Sequence, residues 1–224
     1  LTQGHAWKLA IFSRVHRPGQ ADGRAVEPAA DREQARQDLR RDRPVLLVGS
    51  PTCKAFSQIQ ALNDQTRPSQ VASWEESVEL LEFSCELYKE HISEGGLILH
   101  EHPASASSWE LWMVREVAEL PGMQIVRGDQ CAYGAWGVDT YGAALIKAPT
   151  KWITICPEIA AALSRRCTGG HRHCAMVGNR VALSAKERYP VKLENIMSVC
   201  TLTLMYIHNY ESTDFSRILF ALFR

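Results

Sequence analysis

The sequence predicts an α/β fold with a mainly parallel sheet flanked by helices. Three observations carry that expectation. Pro44-Val45-Leu46-Leu47-Val48-Gly49 and Leu97-Ile98-Leu99-His100 are continuous apolar runs. Runs of this kind suit strands covered on both faces, as in a parallel sheet between helix layers. A long helical pattern lies between them, and strand and helix signals keep alternating to residue 198.

Taken in order, residues 1–28 show no steady period and carry Pro18, Gly19, Gly23 and Pro28, a loop-like composition. Residues 29–41 read as a mostly solvated helix, with Asp31 near its start and Arg40 and Arg41 at its end, which suits the helix dipole. The 44–49 run is the first strand, and Ser50-Pro51-Thr52-Cys53 is the turn at its carboxyl end. From 73 to 94, Val78, Leu81, Cys85, Tyr88 and Ile92 recur at spacings of 3, 4, 3 and 4, one apolar stripe of a helix that Gly95-Gly96 ends. The 97–100 strand leads into Glu101-His102-Pro103. A helix is expected over 107–120, a strand over 123–126, and two short strands around Ala148-Pro149 within 142–155. Trp109 and Trp112, three apart on that helix, read as core or interface anchors. A helix over 157–165, a Cys/His/Gly stretch and a last helix over 189–198 complete the pattern. The chain divides into an irregular segment plus polar helix (1–40), an α/β domain (41–200) and an apolar tail (201–224). The tail reads as a docked helix or an extension without a role.

The chain has 224 residues, 46% hydrophobic and 22% charged, which suits one globular domain and is too apolar for disorder. Lys plus Arg is 25 and Asp plus Glu is 25. With no basic excess, DNA as a partner requires a local patch. No stretch approaches the roughly 20 apolar residues of a membrane span, so no membrane role is expected. The start, Leu1-Thr2-Gln3-Gly4-His5, lacks a signal-peptide layout and suggests a fragment or processed product. Seven widely spaced cysteines suggest free thiols in a reducing, intracellular compartment.

In open α/β sheets, ligands and reacting groups gather at the carboxyl ends of strands. Two segments fall there: Gly49-Ser50-Pro51-Thr52-Cys53-Lys54-Ala55-Phe56-Ser57 and Glu101-His102-Pro103-Ala104-Ser105. A thiol on such a turn, beside Lys54, has the setting of a nucleophile. A carboxylate on a neighbouring strand end can serve as its acid partner. Taken alone, the same two residues also read as a small buried thiol and a surface carboxylate.

The 49–57 segment resembles the catalytic loop of DNA cytosine-5 methyltransferases, a Gly/Ser-Pro-Pro-Cys-x-x-Phe-Ser pattern. Glu101-His102-Pro103 is similar to that family's Glu-Asn-Val or Glu-Asn-Pro segment. Asp129-Gln130-Cys131-Ala132-Tyr133-Gly134, then Lys147-Ala148-Pro149-Thr150, resemble phage-like and retroelement-associated members, as does Tyr189-Pro190-Val191-Lys192-Leu193. The resemblance spans about residues 40–198 and implies a Rossmann-like methyltransferase-type domain. It implies that Cys53 adds to carbon 6 of a flipped-out cytosine, that Glu101 holds or protonates ring nitrogen 3, and that S-adenosylmethionine supplies the methyl group. Phe56 and Ser57 would shape the nucleophile loop, and Ser50 and Pro51 would be on the substrate side; Tyr133 and Trp136, in the loop after the third strand, read either as lining a base pocket or as plugging the sheet edge. A protein acting on DNA would work in the nucleus.

Thr52 stands where the family has Pro, and His102 where it has Asn. Residues 1–40 carry no apolar strand with a glycine-rich cofactor turn. The resemblance therefore implies a truncated or degenerate relative, possessing the catalytic half and short of S-adenosylmethionine contacts.

Cys167-Thr168-Gly169-Gly170-His171-Arg172-His173-Cys174 is a second candidate. One short loop seldom reaches all four corners of a zinc site, so Cys167, His171, His173 and Cys174 are weak metal candidates and zinc is not expected. Cys131 or Cys156 completes a site only if the fold brings it near. The other readings of this region are a non-catalytic nucleic-acid-binding module and a zinc-stabilised interaction module. In the first, Arg172 belongs to a basic cluster with Arg165, Arg166, Arg180 and Lys186 that contacts phosphates.

Overall fold

The computed structural model describes residues 28–57, 68–175 and 218–221. The 1–27 segment, the helix expected over 189–198, and Arg180 and Lys186 lie outside the described residues.

The first strand, β1 (Leu46–Gly49), is buried along its whole length. It pairs in parallel with β2 (Leu97–Pro103), Gly49 lying opposite His100. Between them runs α2 (Pro68–Ser93), which supplies the crossover that a parallel pair needs. Leu81, Cys85 and Tyr88 of the predicted stripe are buried, and Val78 and Ile92 pack at its edge. α2 ends as the sequence indicates: Gly95 takes φ 85°, and the Gly95 and Gly96 N–H groups donate to Ile92 and His91 carbonyls, both at 2.9 Å. The polar helix is α1 (Pro28–Asp42), with Ala35 and Leu39 buried against the core.

The region expected to be one helix over 107–120 is two pieces. A 3₁₀ turn, Ser107–Glu110, and α3 (Trp112–Ala118) are separated by Leu111, whose φ −72° and ψ 139° are extended. The break shifts the helical phase, so Trp109 is buried while Trp112 is 61% exposed. Beyond α3 come β3 (Gln124–Asp129), the 3₁₀ turn Gln130–Tyr133, a hairpin of β4 (Trp136–Asp139) and β5 (Gly142–Leu145), then β6 (Pro149–Thr154) and α4 (Pro157–Leu163).

The main sheet has the order β3-β6-β2-β1-β7 and is mixed rather than mainly parallel in its pairings. β6 runs antiparallel to both β2 and β3. The physical reason lies in the connection. From β3 to β6 the chain has only a 3₁₀ turn and the hairpin, with no crossover helix, so the returning strand reverses direction. Of the tail, residues 218–221 are described, and they form a strand: β7 (Ile218–Ala221) pairs in parallel with β1.

Side chains alternate across the sheet. Leu47, Ile98 and Ile153 point into a core shared with α1, α2 and α3. Leu46, Val48, Leu99 and Trp152 point into a second core under α4. Among the described residues, no helix is long and apolar enough to cross a membrane.

Candidate functional site

β1 and β2 are parallel and in register, but β1 ends at Gly49 while β2 runs on to Pro103, so Glu101 stands inside β2, beside the turn that follows β1, and not past a strand end at His100 as the sequence predicts. Ser50 follows Gly49, Glu101 follows its partner His100, and Ser50 Oγ donates to Glu101 Oε2 at 2.6 Å. The two predicted motifs, 51 residues apart, thus meet. Cys53 and Glu101 are both half-buried.

The loop that carries Cys53 is shaped by backbone bonds. Phe56 N–H donates to the Cys53 carbonyl at 3.1 Å and Ser57 N–H to the Lys54 carbonyl at 3.3 Å, a tight turn. Phe56 is its anchor, 1% exposed and edge-on to Trp74 at 5.1 Å. Its carbonyl accepts from Ser107 N–H at 2.9 Å, tying the loop to the segment after β2.

His102 holds the other end of the loop. Its Nε2 lies 2.9 Å from the carbonyl oxygen of buried Pro51, and its Nδ1 lies 2.6 Å from Ser108 Oγ. A carbonyl only accepts, so Nε2 carries the hydrogen, and in the neutral ring Nδ1 accepts from the Ser108 hydroxyl. Burial pushes this imidazole down to about 4, opposed by the bond to Pro51. It is therefore a neutral clamp near pH 7. Alternation along β2 puts His100 and His102 on the α2/α3 side and Glu101 on the other. His100 is also driven well below the usual histidine range, by burial and then by His102.

Gly49 is required where β1 meets this edge. A Cβ there would sit 1.7 Å from the Tyr88 hydroxyl. Tyr88 in turn bonds His100 Nδ1 at 3.2 Å.

Two other predicted contacts are held by partners within the fold. Tyr133 is 1% exposed; its hydroxyl accepts from Arg165 N–H at 3.0 Å and donates to the Ala162 carbonyl at 3.3 Å. Its ring belongs to the core beside Trp152. The Arg172 guanidinium is held by Asp139 at 2.6 Å and by the Gly142 and Ala143 carbonyls. Those bonds, the Ala175 N–H and the Tyr141 N–H hold the Asp139 carboxyl at about 2, against the opposing effect of burial. Arg166 is likewise paired, with Asp129 at 3.0 Å. A cleft lined by Arg43, Val45, His91 and Gly96 opens at the opposite, amino edge of β1 and β2, away from Cys53 and Glu101.

A second cluster forms where β3 ends. Cys131 sits in the Gln130–Tyr133 turn, and the segment after α4 folds back upon it. The ligand atoms of Cys131, Cys167, His171 and His173 all lie within 4.8 Å of one another. Cys174 is not part of this group; it is buried with Ala135, Ile146 and Ala148. The segment is fixed by Asp129. The Asp129 N–H donates to the Arg165 carbonyl, and Asp129 Oδ2 accepts from Cys167 N–H at 2.8 Å. Burial works to raise the Asp129 carboxyl, yet these donors leave it net below its usual range. In sequence, Cys131 lies 36 residues before Cys167, and of the two cysteines that could complete a site from outside the loop, Cys131 and Cys156, the fold brings Cys131 near.

The resemblance calls for a glycine-rich turn at the start of the domain to hold S-adenosylmethionine, and residues 1–27 lie outside the described residues. The turn after β1 is closed by the Tyr88 ring against Gly49, and among the described residues no glycine-rich turn opens beside it. Comparison with known proteins finds no matching family model, no matching curated protein and no matching solved structure.

Proposed function

We propose that this chain carries the base-addition half of a DNA cytosine-5 methyltransferase-like, Rossmann-like domain, with Cys53 as nucleophile and Glu101 as its acid partner. The reading rests on the resemblance of the two motifs. The single observation supporting it is the 2.6 Å bond from Ser50 to Glu101, which brings the loop of one motif onto the carboxylate of the other.

The chemistry is balanced without a further reactant. The Cys53 thiolate attacks carbon 6 of a cytosine taken out of the stack. Glu101 gives a proton to nitrogen 3, so the electron pair released from the 5,6 double bond is accommodated in the ring and renders carbon 5 nucleophilic. Carbon 5 takes a proton from water. Loss of the original proton from carbon 5 to the hydroxide left by that water then expels the thiolate, restores the double bond and returns the nitrogen 3 proton to Glu101. The net result is exchange of the carbon 5 hydrogen with solvent. S-adenosylmethionine, when bound, would supply the methyl group to carbon 5, whereas the exchange needs this chain's own residues and water.

The test is release of tritium from DNA labelled at carbon 5 of cytosine, in single strands and duplexes. Wild-type protein is expected to release it. Cys53→Ala abolishes release, and Glu101→Gln lowers it by about 10²–10⁴-fold. Cys85→Ala, in the core on α2, leaves a folded protein with release intact. No release from folded wild type, or equal release from Cys53→Ala, sinks the proposal.

A further inference from the structure

We propose that Cys131, Cys167, His171 and His173 form a structural zinc site. This inference stands on its own geometry and does not depend on the roles of Cys53 and Glu101.

The four donor atoms lie within 4.8 Å of one another, and the two contacts of Cys167 have the spacing of donors around one tetrahedral ion. Cys167 Sγ lies 3.6 Å from His171 Nε2 and 3.3 Å from His173 Nε2. Zinc bonds of about 2.3 Å to sulfur and about 2.0–2.1 Å to nitrogen put neighbouring tetrahedral donors roughly 3.5 Å apart. Two thiolates and two imidazoles suit zinc and exclude calcium or magnesium, which take oxygen ligands. Four protein donors leave no open corner, so the site is structural and not catalytic.

The surroundings hold the donors in place before any ion arrives. Gly169 and Gly170 adopt φ 75° and 71°, the left-handed region, and turn the chain so that His171 returns to Cys167. The Gly169 N–H donates to Cys167 Sγ at 3.4 Å, the kind of outer contact that supports a metal-bound thiolate. His173 forms a bridge with Leu145, and Cys174 N–H donates to the Leu145 carbonyl at 2.8 Å. Asp129 fixes the backbone of Cys167. The two histidine rings meet edge-to-face with centroids 4.6 Å apart.

The role follows from the connectivity. β3 runs in the same direction as β2, so the turn after Asp129 lies at the same sheet edge as Glu101. The ion would cross-link that turn to the segment after α4, which also grips the β4–β5 hairpin through Arg172 and Asp139. It would fix one flank of the edge where Cys53 and Glu101 stand.

The experiment uses the full chain without an affinity tag, purified under reducing conditions. Elemental analysis is expected to find one zinc per chain. The cobalt(II)-substituted protein is expected to show tetrahedral d–d bands and a thiolate charge-transfer band. Cys131→Ser and Cys167→Ser lose the metal, while Cys174→Ser and Cys156→Ser keep it. His171→Cys, a ligand for a ligand, keeps the metal and strengthens the charge-transfer band by adding a third thiolate. That variant guards against serine variants that merely fail to fold. Three results overturn the site: a folded chain that takes up no stoichiometric zinc when zinc is supplied, a Cys131–Cys167 disulfide in the purified protein, or a pattern in which Cys174→Ser loses the metal and Cys131→Ser keeps it.

Discussion

His102 stands where the resemblance calls for Asn, and its ring does two jobs that a shorter amide reaches less well. It grips the Pro51 carbonyl of the nucleophile loop and takes the Ser108 hydroxyl. Removing the ring in His102→Ala leaves both buried partners unmet, and we expect a loss of about 1–3 kcal/mol on urea denaturation. The same residue imposes a pH dependence. Its native value of about 4 lies below the unfolded value of 6.5, so the unfolded chain binds the proton more readily. Its contribution is complete above pH 6.5 and is lost as pH falls toward 4. From pH 7.5 to 5 this amounts to about 2 kcal/mol, with His100 acting in the same direction. Urea denaturation at the two pH values should show a smaller drop for His102→Gln than for wild type. An unchanged drop would refute the neutral clamp. Gly49 is as demanding: Gly49→Ala meets the Tyr88 hydroxyl and should cost about 1–3 kcal/mol in the same assay.

Among elements, α1 shows how a polar helix is retained. Arg32 pairs with Glu79, Arg36 with Glu86 and Glu90, and Arg40 with Glu90, all across to α2. Such exposed pairs contribute at most about 1 kcal/mol each and fade with salt. The apolar contacts hold the helix: Leu39 is 3% exposed, and Leu39→Ala should cost about 2–5 kcal/mol. We expect Glu90→Gln to cost less than Leu39→Ala and to lose its effect at high salt, as read by thermal denaturation. The equivalent constraint on the other face of the sheet is Gly128. A Cβ there would approach the Leu163 carbonyl to 2.5 Å, so β3 and the end of α4 meet backbone to backbone. That close approach is what delivers Cys167 to Cys131.

At the scale of the molecule, two cores on either side of one sheet carry the fold, and the Cys/His cluster lies outside both. Chelation should therefore lower the thermal midpoint without abolishing the far-ultraviolet signal of the core. Hydrogen exchange should quicken over 164–175 and 130–134 while β1 and β2 stay protected. Loss of protection in β1 and β2 along with these segments would contradict a local clamp. The balanced charge, 25 basic against 25 acidic residues, leaves the chain without a global attraction to DNA. Arg166 and Arg172 are exposed side chains, each paired with an acid of the same chain, Asp129 and Asp139.

Much of this arrangement is legible in local pattern. The apolar runs mark β1 and β2, the 3-4 spacing marks the buried face of α2, and paired glycines mark its end. Those signals depend on neighbours along the chain, through the periods of helix and strand. The placement of Ser50-Pro51-Thr52-Cys53 just past a strand is legible for the same reason, whereas Glu101, expected past its strand, lies inside β2, which pairing with β6 extends to Pro103. What no local period encodes is which distant segments meet. Tertiary structure alone reverses β6: the β3–β6 connection is spent on a 3₁₀ turn and a hairpin and not on the crossover, usually a helix, that parallel pairing needs. It alone sets His102 on the Pro51 carbonyl, through the register of β1 against β2. It places Cys131, and not Cys174, beside Cys167, His171 and His173, because the close contact of β3 with the end of α4 folds one chain segment onto another 36 residues away.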